Sequence, residues 1–332
     1  PLMTGIFADM FYDITLTWPM ITSLANFKSR GPNSSFNVNI IRKHNPEKGL
    51  NENHGRELLE LHTISPKAGY TQVDVINAAY IMTGWGFIGG KKGVEAKKIG
   101  YLGSLHEPGT HTVLGKKYKT EGFSSKTKGK KQLRNLIENL CESEDCINFI
   151  AWKLCRHFIC DNPKPEMIKI IIDAWKKSKG MLPDIHKAVL EATWKYGEPE
   201  QKFLSPETWL IQIARMTGAD WPGNHKIFEY DFESRLNYKQ KKISWILGEL
   251  GHLPFRAKQP NGFPDTEAEW LSQEYLVRRI ALVNNPTQIG LYKNSLPLID
   301  ISKKMVNKNF DDPRELLGIL RKLENKNSNE KS

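Results

Sequence analysis

The chain has 332 residues, of which 39% are hydrophobic and 10% aromatic, enough to bury a substantial core and to exclude a wholly disordered protein. Its 48 Lys and Arg residues exceed its 37 Asp and Glu residues, which gives a net charge of +11. Twelve of the basic residues lie between Lys91 and Arg134. No apolar run reaches about eighteen residues, so the sequence predicts no transmembrane segment.

Helical periodicity begins at the N-terminus. The stretch from Leu2 to about Phe27 is amphipathic and predicts a first helix. Gly31, Pro32 and the turn formers around them predict a loop after it. The chain shows no basic segment ahead of an apolar core, so we expect no signal peptide within it.

The segment "NENHGRELLELH", residues 51–62, predicts a short helix with an unusually polar side. Asn51 or Asn53 can cap its N-terminus. At 100° per residue Asn53, Glu57 and Glu60 share one stripe, and Glu52, Arg56 and Glu60 share the adjacent one. These stripes are either a solvated surface joined by ion pairs or a packed polar centre.

Gly55 favours the packed interpretation, because glycine inside a helix costs about 1 kcal/mol relative to alanine. It predicts the close approach of another backbone or of a ligand. If the stripe is packed, Glu57 and Glu60 would repel each other unless a cation, an arginine or a shared proton lies between them.

The next segment, "YTQVDVINAAYIMTGW", predicts a helix with Thr71 as its N-cap and Gly84 as its stop. After it, short β-prone runs on either side of "EPGT" predict a small β-hairpin near residues 99–118. The basic flanks of this hairpin lack interleaved aromatic residues for base stacking. Nucleic acid is therefore not an expected partner.

The remainder of the chain is again predicted to be helical, with prolines at the boundaries. We expect a mainly α, multi-helix globular bundle with the small hairpin inserted, forming a single domain over residues 1–324 and a disordered tail over 325–332. The predicted helices span residues 131–142, 144–159, 164–179, 183–195, 205–217, 229–250, 268–284 and 312–324.

Four cysteines occur as two pairs of equal spacing, in "CESEDC" and "CRHFIC". Zinc sites favour tighter Cys-x-x-Cys spacing, so a cysteine metal site is not expected. A disulfide between Cys141 and Cys146 can form if the protein is exported, whereas Cys155 lies on an apolar helix and is expected to be a buried thiol.

The order of the motifs "LNENHGRELLELHT", "GYTQVDV", "TGWGF", "HEPGTHTVLG", "AWKLCRHFICDNP" and "PNGFPDTEAEWLSQEYLVRR" resembles a large bacterial family, the domain of unknown function 1800 family. The resemblance runs from the first helix to about Arg279. It implies a mainly helical fold, export to the periplasm or secretion, and no established reaction. Members are usually longer at the N-terminus, so the chain resembles a fragment of that family's domain, which would stay cytoplasmic if expressed as it stands.

The resemblance also implies which polar residues matter. His54-Gly55 departs from the family pattern, where an aromatic residue followed by a small one is common, and Glu107 stands where Asp is more usual. The recurrent residues, carried over by position, are Asn51, Glu52, Asn53, Arg56, Glu57, Glu60, Asp74, Trp85, His106, Lys153, Asn261 and Trp270.

Two functional hypotheses remain open. In the first, the protein is a binding or assembly component of the cell envelope with an envelope protein as partner, and its buried polar residues join the 51–62 helix to the 144–159 helix through Lys153. In the second, it is a metal-assisted hydrolase with Glu57, Glu60 and His106 as catalytic residues, or with Asp74 in place of His106, and a divalent metal as cofactor.

Overall fold

The structure, a computed structural model, describes residues 2–40, 49–88, 98–121, 127, 129–198, 201–217, 243–253, 256–257 and 260–284. The chain divides into two compact units, Pro1–Glu198 and Pro199–Ser332. The single domain over residues 1–324 stays a prediction. The predicted helix 312–324 and the tail 325–332 lie outside the described residues.

The described residues form thirteen α-helices and two small antiparallel sheets of two strands each, which confirms the mainly α fold. Each described helix is too short or too polar to cross a lipid bilayer. The helices of the first unit are α1 (Phe7–Thr15), α2 (Trp18–Ser23), α3 (Ser35–Ile40), α4 (Asn53–Glu60), α5 (Gln72–Met82), α6 (Lys130–Cys141), α7 (Glu144–Phe158), α8 (Pro165–Ser178) and α9 (Leu182–Tyr196).

The first predicted helix, Leu2 to Phe27, is wrong as a single element. The structure has a 3-10 turn, then α1 and α2, with an extended Thr17 between these helices. Pro19 lies in the first turn of α2, where its missing N–H costs least. Ala25 then adopts a left-handed conformation, with φ of 53°, and ends the helical path.

α4 and α5 pack closely because Gly55 removes the side chain between them. A Cβ atom at Gly55 would lie 2.7 Å from the backbone nitrogen of Ala79 and 2.9 Å from its Cα. Leu58 and Leu59, on the buried side of α4, are fully covered. The close backbone approach predicted from Gly55 is therefore confirmed, and its partner is α5.

The strands of the described residues form two hairpins. β1 (Trp85–Ile88) pairs with β2 (Lys98–Tyr101), and β3 (Thr110–Val113) pairs with β4 (Lys116–Lys119). The predicted turn "EPGT" connects β2 to β3, which belong to different sheets, so the predicted pairing across it is wrong.

The tight turn lies instead at Leu114-Gly115, between β3 and β4. Both residues have positive φ, 49° and 76°, as a two-residue hairpin loop requires. Leucine rarely adopts this conformation, so the sequence carried no signal for the turn.

Helices α6 to α9 begin and end close to the predicted residues. Ser143 caps α7, since its Oγ accepts the Cys146 N–H at 3.2 Å. Prolines occupy the first turns of α8 and α9, as predicted. Buried side chains from Phe7 to Ala192 form one hydrophobic cluster.

The second unit contributes α10 (Pro206–Thr217), α11 (Ile243–Glu249), α12 (Glu267–Trp270) and α13 (Gln273–Asn284). The predicted helix 268–284 is divided into α12 and α13, and only the end of the predicted helix 229–250 falls on described residues. Trp270 is buried, and its Nε1 donates to the Pro264 carbonyl at 2.8 Å.

Candidate functional site

Asn51 fixes the entry to α4. Its Oδ1 accepts the N–H of Asn53 at 3.0 Å, and its Nδ2 donates to the carbonyls of Leu24 and Ala25 at 3.5 and 3.3 Å. Its own N–H donates to the Ser29 hydroxyl at 3.0 Å. The N-cap residue of α4 is Glu52, whose side chain makes no capping bond, so Asn51 closes the turn before the helix rather than capping it. The same Asn51 side chain holds the end of α2 against the start of α4.

Glu52, Arg56 and Gln72 form a closed ring of hydrogen bonds across the start of α4 and α5. Arg56 Nη2 donates to Glu52 Oε1 at 2.7 Å and to Gln72 Oε1 at 2.8 Å. Gln72 Nε2 donates to Glu52 Oε2 at 2.6 Å, which closes the ring. The hydrogen bond from Arg56 to Glu52 is the largest of the effects that raise the pKa of Arg56. The Glu52–Arg56 pair is the one predicted from their spacing.

Glu57 and Glu60 lie together on the same helix. The Tyr70 hydroxyl donates to Glu60 Oε2 at 2.9 Å. Burial, then its hydrogen bond to Glu60, raises the pKa of Tyr70 to about 12. Glu57 is half-buried, and burial followed by the charge of Glu60 raises its pKa, against a smaller opposing effect of Arg56.

We call the side chains of Glu52, Arg56, Glu57, Glu60, Tyr70 and Gln72 the α4 surface. The expectation of a buried polar centre on this helix is wrong, because none of these side chains is buried and Asn53 is exposed. The physical reason is the rotation of the helix. His54, Gly55, Leu58 and Leu59 occupy the inward side, so the carboxylates lie along its flank.

Asp74 joins α5 to the second hairpin. Its Oδ2 accepts the N–H and hydroxyl of Thr71 at 2.8 and 2.7 Å, completing a capping box. Its Oδ1 accepts the Leu114 N–H at 2.7 Å, at the tight turn. Burial raises its pKa, but the hydrogen bonds from Thr71 and Leu114 together outweigh burial, so the pKa of Asp74 is lowered. The predicted Thr71 cap is confirmed.

His106 is buried, with 2% of its surface exposed. Its Nδ1 lies 3.0 Å from the Thr83 carbonyl oxygen, and its Nε2 lies 3.0 Å from Gln132 Oε1. Gln132 in turn donates to the Tyr118 carbonyl at 2.7 Å. His106 therefore connects the end of α5, the start of α6 and strand β4.

The neighbouring Glu107 is also buried and ties the loop after α2 to this region. Its Oε2 accepts the Asn33 N–H at 2.8 Å, and its Oε1 accepts the Asn33 side-chain amide at 2.6 Å. Gly31 is required beside it, since a Cβ there would lie 2.5 Å from the Glu107 Cα. The carboxylate next to His106 thus serves loop packing.

Lys153 links α7 to the end of α4. Its Nζ donates to the Leu61 carbonyl oxygen at 3.1 Å. A cation at this position also interacts favourably with the negative end of the α4 dipole. Arg156, one turn further along α7, lies over the ring of Trp152, with 5.0 Å between its Cζ and the ring centroid.

Two histidines that were not among the predicted site residues lie beside it, with His54 buried and His62 half-buried. His54 is fully buried, and both of its ring nitrogens lack a hydrogen-bond partner among the described residues. Burial and then the charge of His62 lower the pKa of His54 to about 3, and burial and then Lys153 lower that of His62 to about 4. The sequence did give a signal for His54, because the resemblance implies an aromatic residue at position 54.

The structure does not gather the predicted catalytic residues around one point. Among the residues it describes, no three His, Cys, Asp or Glu side chains are placed to hold one metal ion. His106 bonds to Thr83 and Gln132, whereas Glu57 and Glu60 lie on the α4 surface. Asn261 is exposed and belongs to the second unit.

A family model described as "Protein of unknown function (DUF1800)" matches residues 1–327. Neither the comparison with curated proteins nor that with solved structures gave a match. The matched range contains the 51–62 motif, both hairpins and all thirteen described helices, so the resemblance drawn from the motifs is confirmed. The chain belongs to the DUF1800 family of proteins of unknown function.

Proposed function

We propose that this protein is a binding or assembly component of the bacterial cell envelope, located in the periplasm or secreted. The observation that carries the proposal is the Lys153 bond to Leu61, which joins α7 to α4. With Asn51, Asp74 and His106 also engaged in connections between elements, the recurrent polar residues hold the scaffold together. They leave the α4 surface as the side available to a partner.

The α4 surface carries three carboxylates and one guanidinium, and Arg56 is already bonded to Glu52. The remaining pair, Glu57 and Glu60, is an excess of negative charge on a half-buried flank. A lysine or arginine of an envelope protein placed there would relieve their repulsion and lower the pKa of Glu57. The partner chemistry that this surface fits is therefore cationic.

A carbodiimide cross-linker, which joins carboxylates to amines without a spacer, tests this proposal in fractionated cells. The full-length protein is expected in the envelope fraction, and cross-linked to a partner in wild type but not in Glu57→Gln/Glu60→Gln. Glu191→Gln, which changes an exposed glutamate on α9, is the matched control and should leave the cross-link intact. A wholly cytosolic protein, or a cross-link unaffected by the double substitution, contradicts the proposal.

One observation favours the alternative, a metal-assisted hydrolase. The raised pKa of Glu57 suits a general base, and its carboxylate, for which no hydrogen-bond partner is found among the described residues, is open to a metal ion. His106 would have to leave Thr83 and Gln132 to assist it. Metal analysis of the purified protein decides between the two. Stoichiometric metal that is lost in Glu57→Gln supports the hydrolase, and wild-type protein free of metal at saturating zinc or manganese opposes it.

A further inference from the structure

The turn between α6 and α7 brings two thiols into the same part of the core. Cys141 is the last residue of α6, and Cys146 lies in the first turn of α7. Both are free and buried, with 4% and 0% of their surfaces exposed. Both also belong to the one hydrophobic cluster of the first unit.

The turn itself is fixed by hydrogen bonds on both sides. The Ser143 hydroxyl donates to the Leu140 carbonyl at 2.6 Å and accepts the Cys146 N–H at 3.2 Å. The Ser143 N–H also donates to the Leu140 carbonyl, at 3.1 Å. One side chain thus sets the direction of both helix ends, and each end turns its cysteine inward.

We propose that Cys141 and Cys146 are a disulfide site, oxidised when the chain meets a disulfide oxidant such as oxidised glutathione or a dithiol oxidase. The proposal stands independently of the partner proposed for the α4 surface. An interaction with Cys146, followed by burial, raises the pKa of the Cys141 thiol well above its usual value. This effect agrees with the positions of the two cysteines, at the last residue of α6 and in the first turn of α7, on either side of one short turn.

The reaction has a route in the structure. Cys141 lines a groove of about 580 Å³ whose walls also include Phe7, Arg134 and Trp175. The Cys141 thiol first loses its proton, a step that its raised pKa makes slow at neutral pH. The resulting thiolate attacks one sulfur of the oxidant, and the other sulfur leaves as a thiolate that takes up a proton. Cys146 then attacks the Cys141 sulfur of the mixed disulfide and releases the second thiol. Two protein thiols lose two electrons and two protons, and the oxidant disulfide is reduced to two thiols.

The second pair, Cys155 and Cys160, has the same spacing in a different setting. The Cys160 Sγ lies 3.7 Å from the Met167 Sδ, and burial, followed by the charge of Cys160, raises the pKa of Cys155 to about 12. Cys155 lies within α7 rather than at a junction of two helices, so the same spacing does not connect two elements there. This pair is the matched control.

The test incubates the full chain in a glutathione buffer poised for secreted proteins, followed by denaturation, alkylation and peptide mass analysis. Two of the four cysteines should escape alkylation, linked as Cys141 to Cys146. The melting temperature should rise by about 5 °C or more and return on reduction. The linkage should persist in Cys155→Ser/Cys160→Ser. Oxidation should also quicken as pH rises, since the thiolate is the nucleophile.

Four alkylated cysteines after full equilibration, or a linkage of Cys155 to Cys160, would overturn the proposal. The alkylation pattern is read from the wild-type chain, so it does not depend on whether Cys141→Ser folds. If Cys141→Ser folds, its melting temperature should be the same in oxidising and reducing buffer. A wild-type melting temperature insensitive to the linkage would also oppose a stabilising role.

Discussion

At the scale of single residues, His54 is the clearest case of a polar side chain in an unsuitable environment. An imidazole occupies a fully buried place with no described partner for either nitrogen. Its pKa is lowered to about 3 by burial and then by the charge of His62. A histidine in the unfolded chain titrates near 6.5.

We therefore expect acid to destabilise the fold through His54. Between about pH 6.5 and pH 3, His54 binds a proton in the unfolded chain but not in the folded chain. The folded state therefore loses stability as the pH falls from about 6.5 toward 3. At pH 5 the expected loss is about 2 kcal/mol. In His54→Phe the free energy of unfolding, measured by urea titration, should vary less between pH 7 and pH 5. An unchanged pH slope in this variant contradicts the assignment.

Glu57→Gln tests the opposite pH dependence, in which stability falls as the pH rises. Because burial and Glu60 raise the folded pKa of Glu57, its ionisation opposes folding as pH rises through that pKa. The variant should gain up to about 1 kcal/mol at pH 7 and nothing at pH 4, since the group is partly solvated. Glu52→Gln is the control, and should lose stability because Glu52 accepts from both Arg56 and Gln72. A destabilised Glu57→Gln would mean that Glu57 has a partner.

The sequence indicated several of these residues but not what they touch. Helical spacing alone predicts the Glu52–Arg56 pair, and Thr71 as a cap follows from local rules. The Leu114 partner of Asp74 lies 40 residues away, in a turn with no sequence signal, and therefore could not be predicted. The link of Lys153 to the 51–62 helix was part of one hypothesis, but its acceptor, the Leu61 carbonyl 92 positions away, could not be predicted.

At the scale of elements, the contact of α4 with α5 depends on Gly55. Alanine would gain about 1 kcal/mol of helix propensity but would overlap the Ala79 backbone, and such overpacking typically costs 1–3 kcal/mol. We therefore expect a net destabilisation of Gly55→Ala by up to about 2 kcal/mol in chemical denaturation. Gly248→Ala in α11 is the control, because its Cβ would meet Leu253 at an ordinary 3.5 Å. A stabilised Gly55→Ala would show that the helices can separate without cost.

Asp74 connects a helix start to a hairpin turn, so one substitution should affect both. Asp74→Ala removes the capping bonds of α5 and the acceptor of the Leu114 N–H. The expected loss is about 1–3 kcal/mol, with faster amide hydrogen exchange at Leu114. Thr71→Ala should weaken the cap but keep Leu114 protected. Equal protection of Leu114 in both variants would contradict the link between α5 and the turn.

Element type was more predictable than element pairing. Periodicity and boundary prolines identified α6 to α9 because these helices are amphipathic and locally determined. The hairpin was mispaired because "EPGT" is a better turn sequence than Leu114-Gly115, whose strained leucine is held by Asp74. The prediction of a single first helix was wrong for a similar reason. The apolar stripe in the sequence continues across Thr17, which is extended in the structure.

At the scale of the whole molecule, the family match and the packing divide the chain differently. The family model covers residues 1–327 as one sequence unit, whereas the chain packs as two compact units. Each unit has its own buried side chains. Those of the first lie between Phe7 and Ala192, and the second includes Trp209, Leu250 and Trp270. Arg279, buried in the second unit, lies over the rings of Phe203 and Trp209 and donates to the Leu204 carbonyl.

A separate core in the first unit leads to the last prediction. A chain ending at Glu198 keeps α1 to α9, both hairpins and the whole of their hydrophobic cluster. It should unfold cooperatively in calorimetry and circular dichroism, and Asp74→Ala should destabilise it by the same amount as in the full chain. A chain ending at Lys164 is the control, since it loses Met167, Ile171 and Trp175 from the core and should not unfold cooperatively. If the chain ending at Glu198 also fails to fold, the single domain over residues 1–324 is the correct description.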